Sequence, residues 1–316
     1  MTAPAHQPVL FDETIEALRV RPDGIYVDAT YGRGGHSKEI LRRLDEAGRL
    51  LILDRDPAAI AEARKNHEND KRVIIRKGPF SMLEMIATEN GLAGKIDGIL
   101  FDLGVSSPQL DTAERGFSFQ ASGPLDMRMD TETGESAADW LARVDEKTLT
   151  RVLKIYGEER FARRIARTII NAREVEPITN TAQLAKLVSD AIPARTREPG
   201  KNPATRTFQA IRIYINRELE EIEQALPQTL RLLATGGRLA VISFHSLEDR
   251  IVKNFMRDVA KGDPFPLDLP VTQDQIKPLM KIIGKQIRPS EAELQSNPRS
   301  RSAVLRVAER TEVPIG

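Results

Sequence analysis

The stretch that decides the fold is Asp28-Ala-Thr-Tyr-Gly-Arg-Gly-Gly-His36, early in a chain of 316 residues. It follows an apolar run that begins at Gly24 and precedes a helix-like run that begins at Ser37. Its glycines allow a tight turn and a close approach of the backbone to a ligand, and a helix starting there points its N–H groups at that ligand. The stretch therefore predicts strand, ligand-binding turn and helix, with a plain βα turn as the alternative.

Strand-like and helix-like runs alternate outward from this turn. Strands are predicted at 49–54, 72–76, 96–102, 237–243 and 302–307, with helices at 57–67, 81–89 and 206–226. Apolar strands separated by helices form a mostly parallel sheet that is covered on both faces. Between residues 109 and 202 only helices are predicted, at 137–143, 146–156, 160–172 and 181–191. We therefore expect an α/β core of residues 1–110 and 204–316, interrupted by an all-helical domain of residues 111–203.

Composition excludes several classes of protein. Apolar residues make up 40% of the chain and charged residues 29%, which favours a folded core. The chain has no cysteine, so disulfides, thiolate metal sites and cysteine nucleophiles are excluded. Its four histidines show no metal-binding spacing, and we expect no metal site. No apolar run is long enough for a membrane span and no signal peptide is evident, so we expect a cytoplasmic protein.

Charge is distributed unevenly, although the net charge is only +1. Residues 112–150 carry 4 basic and 8 acidic side chains, whereas residues 151–206 carry 12 basic and 6 acidic ones. Arg163, Arg164 and Arg167 lie close together in the second segment. A local basic segment indicates a polyanionic partner such as RNA. We expect this segment and the Arg195–Lys201 loop to bind the RNA backbone. The alternative is an ordinary solvated face.

The second predicted strand ends in Asp54, which follows Gly32 by 22 residues. In a βαβ unit this position places a carboxylate beside the ribose of a nucleoside cofactor. Asp56 is a competing candidate, although it precedes Pro57 and resembles a helix cap. The turn reads G-x-G-G-H rather than G-x-G-x-x-G, and Asp28 suits an ammonium group better than a phosphate. These features favour S-adenosylmethionine over a nicotinamide cofactor.

Polar side chains also follow the third and fourth strands. Phe80 either lies against an adenine or belongs to the core. After the fourth strand, the segment to Gln109 brings Asp102, Ser106 and Ser107 toward the ligand crevice. Acceptors there localise the lone pair of an exocyclic amine for attack on a methyl group. We therefore assign Asp102 and Ser106 to catalysis. Methylation at carbon 5 of cytosine needs a thiolate, which this chain lacks.

Two histidines remain undecided between a site role and a structural one. His245 stands in Ser243-Phe-His-Ser-Leu-Glu-Asp-Arg250, where Ser246 and Asp249 predict a helix cap. His6 stands in His-Gln-Pro-Val-Leu10. Either could face the ligand crevice or only flank a cap.

At this point the chain resembles a known bacterial family, the MraW-type 16S rRNA cytosine-N4 methyltransferases, over almost its whole length. The resemblance is carried by eight segments: His6–Leu10, Tyr31–Ser37, Asp102–Gln109, Arg115–Phe119, Gly123–Asp130, Tyr156–Arg160, Pro203–Gln209 and Ser243–Arg250. The resemblance implies a class I, Rossmann-like methyltransferase fold with an inserted helical substrate-recognition domain. It implies methylation of N4 of one cytidine in the decoding region of 16S rRNA, as free RNA or in the small ribosomal subunit.

The family's contacts to S-adenosylmethionine fall here on seven residues, Gly34, Gly35, His36, Asp54, Phe80, Asp102 and Gln109. The Asp102–Gln109 segment also resembles the Ser/Asp-Pro-Pro-aromatic loop of DNA amino-methyltransferases, but it lacks the second proline and the aromatic residue. The chemistry alone thus leaves a DNA or protein substrate open. A nicotinamide-dependent oxidoreductase and a non-catalytic RNA-binding assembly factor are the alternatives from other functional classes.

Overall fold

The structure is a computed structural model that describes residues 8–197, 200, 202–262 and 277–315. The chain divides into two compact units. We call Met1–Gly104 together with Leu219–Gly316 the sheet unit, and Val105–Glu218 the helical unit. The expected boundaries at 110/111 and 203/204 therefore differ from the observed ones by 6 residues at the first and 15 at the second.

The sheet unit is built on seven strands. They are β1 (Ile25–Asp28), β2 (Arg49–Asp54), β3 (Val73–Lys77), β4 (Ile96–Asp102), β5 (Leu233–Ser243), β6 (Met280–Ile282) and β7 (Val304–Arg310). Their order in the sheet is β3-β2-β1-β4-β5-β7-β6. The first five strands pair in parallel, and β7 is antiparallel to both β5 and β6.

Helices cover both faces of this sheet, because nearly every residue of its central strands is apolar and buried. One face packs against α1 (Phe11–Leu18), α2 (Gly35–Arg43) and α3 (Pro57–His67). The other packs against α4 (Leu83–Glu89), α11 (Glu218–Leu232) and α12 (Ser246–Lys261), and the short α13 (Glu291–Ser296) precedes β7. The architecture confirms the Rossmann-like α/β fold of class I methyltransferases that the sequence predicts.

The described residues of the helical unit contain helices and loops but no named strand. The helices are α5 (Ser107–Asp111), α6 (Ala137–Arg143), α7 (Glu146–Tyr156), α8 (Ala162–Arg173), α9 (Thr181–Ala191) and α10 (Thr205–Asn216). They share one apolar core around Trp140, Leu149 and Ile165. Because Phe208 and Ile211 of α10 are buried in that same core, α10 belongs to the helical unit, and this explains the shifted second boundary.

The single helix predicted over 206–226 is wrong, since the chain breaks it into α10 and α11. Arg217 adopts a left-handed backbone with φ of 53°, and its N–H closes α10 by bonding to Ile213 and Tyr214 carbonyls. The buried Asn216 side chain fixes this end, donating to the Met127 carbonyl (2.7 Å) and accepting from the Met129 N–H (2.7 Å). The apolar stripe is therefore divided between two cores rather than facing one.

Several elements have bounds that sequence patterning did not give. The fifth strand begins at Leu233 instead of residue 237, and β6, α1 and α13 were not predicted. In the part of the chain that the structure describes, no helix combines the length and the apolar character needed to cross a bilayer.

Candidate active site

Asp28 ends β1 and anchors the turn that follows it. Its side chain is almost fully buried, and it accepts hydrogen bonds from the Ser37 hydroxyl (2.6 Å) and the Thr30 N–H (3.1 Å). Burial raises the pKa of Asp28, while these hydrogen bonds oppose that rise. The first carboxyl of the site therefore fastens the start of α2 to the end of β1.

The glycine-rich turn is as tight as the sequence predicts. Gly34 has a φ of +74°, and a Cβ placed there would lie 2.4 Å from Cζ of Tyr31. A Cβ on Gly35 would lie 2.3 Å from Cγ of Pro8. Only glycine fits both positions, because any side chain there would meet Tyr31 or Pro8.

His36 lies in the first turn of α2 and is 5% exposed. Its ring stacks on Phe11, with centroids 5.6 Å apart, and burial lowers the pKa of His36 to about 4. The imidazole is therefore neutral near pH 7. Among the described residues, neither ring nitrogen has a hydrogen-bond partner, and Nε2 is 3.7 Å from Oδ2 of Asp102. Buried polar atoms left without partners are typical of a binding site whose ligand supplies them.

Asp54 ends β2 with both carboxylate oxygens already engaged by backbone. Oδ2 accepts from the Gly32 N–H (3.0 Å), and Oδ1 accepts from the Asp56 N–H (2.9 Å). Each oxygen keeps a second lone pair that can accept a hydrogen bond from a ribose hydroxyl. The ribose contact itself stays a prediction. Burial raises the pKa of Asp54 to about 6. The competing Asp56 caps α3 through the Ala58 N–H (2.9 Å), which is the structural role expected for it.

Phe80 begins a short 3₁₀ turn, Phe80–Met82, directly after β3. Its ring packs edge-on against Phe101, with centroids 5.4 Å apart, and it contacts the core of the sheet unit. Because the side chain stays partly exposed, one part of it belongs to the core and the rest is available to a planar ligand.

Asp102 ends β4 beside the end of β1. Its N–H donates to the Thr30 hydroxyl (2.7 Å), which ties together two strand ends 72 residues apart in sequence. Burial is the main cause that raises the pKa of Asp102, and the negative charges of Asp28 and Glu248 raise it further, to about 8. Oδ1 has no hydrogen-bond partner among the described residues. The folded protein without a ligand thus holds this carboxyl mostly in its neutral form at pH 7, and a nearby cation would favour the charged form.

Ser106 and Gln109 belong to the helical unit, where they form the start of α5. The Ser106 N–H donates to Oε1 of Gln109 (3.0 Å), and Gln109 is buried. This bond is one half of a helix capping box, so part of the Ser-Ser-Pro-Gln signal is structural. The assignments of Ser106 to catalysis and Gln109 to the cofactor stay predictions.

The helix cap predicted at Ser246 and Asp249 is displaced by one residue. His245 is the N-cap of α12, and its Nδ1 accepts from the Glu248 N–H (3.4 Å). The fully buried Glu248 accepts in return from the N–H groups of Phe244 (2.8 Å) and His245 (3.3 Å). Asp249 instead pairs with Arg306 (2.7 Å), which takes it away from the cap. His6 lies outside the described residues.

Sequence reasoning missed three residues that support this site, namely Phe11, Thr30 and Ser37. Thr30 stands inside the motif that decided the fold and Ser37 directly follows it, but hydroxyl partners cannot be read from spacing. Phe11 precedes the first predicted strand, and only the packing of α1 against α2 brings it to His36.

The site suits a cationic nucleoside cofactor. Asp28, Asp54 and Asp102 end three neighbouring parallel strands, and among the described residues no lysine or arginine pairs with them. A sulfonium cation would compensate the charge of these carboxylates, and a glycine-rich turn between strand and helix is the usual place for backbone contacts to such a cofactor. The orphaned atoms of His36 and Asp102 would face such a group. S-adenosylmethionine therefore fits the residues present.

Fold and site together define a class I methyltransferase. The model of the MraW methylase family matches residues 3–311, and the chain belongs to this family. A relative from Thioalkalivibrio sulfidiphilus, described as ribosomal RNA small subunit methyltransferase H, is 58% identical over 309 residues, 98% of either chain.

Two solved structures are also similar to the chain. An rRNA methylase from Streptococcus thermophilus aligns over 98% of this chain and 100% of its own, with 11% identity and a TM-score of 0.42. A Streptococcus mutans protein in complex with SAH aligns over 96% of this chain and 99% of its own, with 14% identity and a TM-score of 0.41.

Proposed function

We propose that this chain transfers a methyl group from S-adenosylmethionine to N4 of a single cytidine in the decoding region of 16S rRNA. Membership of the MraW methylase family and the name of the relative from Thioalkalivibrio sulfidiphilus support an rRNA substrate. The observation that carries the chemistry is the Asp102 carboxyl, held at the end of β4 by Thr30 and beside neutral His36. This substrate makes the cytoplasm, where ribosomal subunits are assembled, the place of the reaction.

Six residues of the sheet unit would hold the cofactor, with Gln109 as a seventh from the helical unit: Gly34, Gly35, His36, Asp54, Phe80 and Asp102. S-adenosylmethionine supplies an electrophilic methyl group on a sulfonium sulfur. The Asp54 carboxylate would accept from the ribose, the glycine backbone would contact the amino-acid tail, and the exposed part of Phe80 would cover the adenine.

The chain's own contribution to the reaction is orientation and charge. A cytosine amine has a delocalised lone pair, and acceptors placed on its N–H groups localise that pair for attack. The Asp102 carboxylate and the Ser106 hydroxyl are our candidates for these acceptors. With S-adenosylmethionine bound, N4 would receive the methyl group that the sulfonium supplies and would have to release one proton. Because the pKa of Asp102 is raised to about 8, its ionised form is a stronger base than an ordinary carboxylate and would take that proton.

Substrate binding is assigned to the helical unit. The neighbouring helices α7 and α8 and the turn between them carry exposed cations that we call the basic face: Lys147, Arg151, Lys154, Arg160, Arg163, Arg164 and Arg167. Of these, Arg167 lies 3.5 Å from Glu146, which neutralises part of the charge. Arg197 differs, because its guanidinium donates to the Ser189 and Ile192 carbonyls at the end of α9. We therefore keep Arg195 as an RNA contact and treat Arg197 as structural.

The deciding experiment is transfer of tritium from labelled S-adenosylmethionine to free 16S rRNA and to small ribosomal subunits lacking the modification. Mass spectrometry of the labelled nucleotide should identify N4-methylcytidine at one position. Binding of subunits without transfer would favour an assembly factor, and label on another atom or polymer would refute the proposed specificity.

The basic face has its own test. Combined R163Q, R164Q and R195Q should weaken RNA binding and reduce the dependence of log K on log salt by about 2, at roughly 0.7 to 0.9 per phosphate contact. Affinity for S-adenosylmethionine should not change. K186Q is the control, since its ammonium is held by Asp190 at 2.6 Å. Unchanged RNA binding in the triple variant would show that this face is only solvated.

A further inference from the structure

A second cationic surface lies on the sheet unit, in residues 277–302, which we call the outer edge. It contains β6, α13 and the turn Pro298–Ser302. Residues 277–310 carry eight basic and three acidic side chains, in a chain whose net charge is only +1. All six basic residues of the outer edge itself are exposed: Lys277, Lys281, Lys285, Arg288, Arg299 and Arg301. Neither the cofactor site nor the basic face uses this surface.

The acidic residues near the outer edge are already engaged by other partners. Glu309 is the cross-strand neighbour of Lys281, but its carboxylate is bound to Arg238 at 3.0 Å. Asp249 is bound to Arg306 at 2.7 Å, and Glu293 accepts from the Leu10 N–H at 2.8 Å.

Four cations consequently have no carboxylate partner among the described residues, namely Lys281, Lys285, Arg288 and Arg301. The nearest other acid in sequence, Glu291, is itself exposed. Arg238 and Arg306 thus neutralise the nearby carboxylates of Glu309 and Asp249, and an excess of positive charge remains on the exposed residues of the outer edge.

The backbone of the outer edge bulges away from the sheet. Ile282 pairs with Ala308, and Ile287 forms a bridge with Leu305, so the four edge residues between these pairs oppose only two residues of β7. Gly284, within the bulge, has a φ of +66° and open space where a Cβ would be. The Gln286 side chain fixes the bulge by accepting from Arg306 (2.8 Å). A bulge of this kind changes the direction of side chains and prevents a further strand from pairing.

Three of the unpaired cations are distributed along the length of β7. Lys281 is opposite Glu309, Arg288 directly follows the residue paired with Leu305, and Arg301 lies in the turn leading into β7. Positions 305 to 309 of a strand span about 13 Å. This length allows contact with more than one phosphate of a nucleic-acid strand.

We propose that the outer edge binds the phosphate backbone of the RNA substrate and provides a second RNA contact, on the sheet unit itself. The inference rests on the proposed function, because the polyanion it assigns is the same rRNA. An RNA partner fits the charge excess, the exposure and the bulged edge, which offers no strand to a protein partner. The alternative is that the lysines and the bulge only protect a sheet edge from aggregation.

The test compares two quadruple variants of the full-length protein, using 16S rRNA as the probe. K281Q, K285Q, R288Q and R301Q remove the outer-edge cations. R64Q, K65Q, K71Q and K253Q remove the same number of exposed cations from elsewhere on the sheet unit. RNA affinity is measured between 50 and 200 mM salt, and S-adenosylmethionine affinity is measured by calorimetry as a check of folding.

Loss of four phosphate contacts should reduce the slope of log K against log salt by about 3. Between 50 and 200 mM salt, the RNA affinity of the wild type should therefore fall by a factor roughly sixty times larger than that of the outer-edge variant. The control variant should retain the wild-type slope. Equal slopes for all three proteins, with RNA still bound, would overturn the outer-edge assignment alone. A wild-type protein that does not bind RNA would instead refute the proposed function.

Discussion

Replacing Asp102 by asparagine should make the protein more stable and much less active. The carboxyl of Asp102 stands at the end of β4, where burial, reinforced by the negative charges of Asp28 and Glu248, raises its pKa from 3.8 to about 8. An amide has the same shape and no charge. The D102N variant therefore removes an electrostatic cost that the wild-type protein bears for its chemistry.

The size of this effect follows from the pKa shift. A raised carboxyl pKa costs the folded state nothing below about pH 4, and the cost grows as pH rises toward 8. At pH 7 the Asp102 carboxyl is ionised in the unfolded chain, because this pH lies about 3 units above its ordinary pKa. At 1.36 kcal/mol per unit, keeping the carboxyl in the folded state costs about 4 kcal/mol. We expect D102N to raise the free energy of unfolding by about 2 to 4 kcal/mol at pH 7, and by less than about 1 kcal/mol at pH 4. Loss of the proton acceptor should lower turnover about a hundredfold or more.

Urea denaturation without cofactor, at several values between pH 4 and pH 8, measures this difference. Circular dichroism follows the whole chain, whereas fluorescence of the single Trp140 reports on the helical unit, where no change is expected. D70N is the matched control. Because Arg72 lowers the pKa of Asp70, removing the Asp70 carboxylate should destabilise the protein at neutral pH, which is the opposite of the effect expected for D102N. Equal stability of D102N and wild type at every pH would refute the raised pKa, and full activity of D102N would remove Asp102 from the mechanism.

Three further substitutions test the rest of the site. D54A should weaken S-adenosylmethionine binding ten- to a hundredfold, since a lost charge-assisted hydrogen bond costs about 1.5–3 kcal/mol; unchanged affinity by calorimetry would move the ribose contact to Asp56 or elsewhere. S106A should lower the single-turnover rate more than cofactor affinity, and a full rate would leave only backbone carbonyls as amine acceptors. G34A forces a Cβ into the ring of Tyr31 at a left-handed position. It should therefore cost about 1–3 kcal/mol in thermal denaturation and weaken cofactor binding, and a variant that loses neither would show that the turn relaxes easily.

The sequence was most informative where local pattern and global packing agree. The central strands are continuous apolar runs with polar ends, so β2 and β4 were predicted at the bounds observed. Their parallel pairing explains why acids at three strand ends were expected on one edge. The helices at 137–143, 146–156 and 181–191 also match, because each begins directly after a capping side chain, Ser136, Asp145 or Asn180.

Prediction failed where the deciding interaction is distant in sequence. The α10–α11 break depends on Asn216 reaching backbone groups near Met127, almost 90 residues away. The sequence does not assign the cap of α12 to His245. Spacing alone does not show that Glu248, rather than Asp249, is buried at this helix end and bonds to its N–H groups. The raised pKa of Asp102 likewise depends on acids from β1 and α12, which no local pattern brings together.

The position of the helical unit in the sequence has a consequence for how the chain is made. β4 is complete at Asp102, but its partner β5 begins only at Leu233. A ribosome adding about 5–20 residues per second needs roughly 7–26 s to cover that interval, during which the apolar β4 presents an unpaired edge. The entire helical unit emerges in the same interval. We therefore expect nascent chains that have emerged from the ribosome as far as residue 232 to show a protease-resistant helical unit and a cleavable β4, and to need a chaperone at that edge.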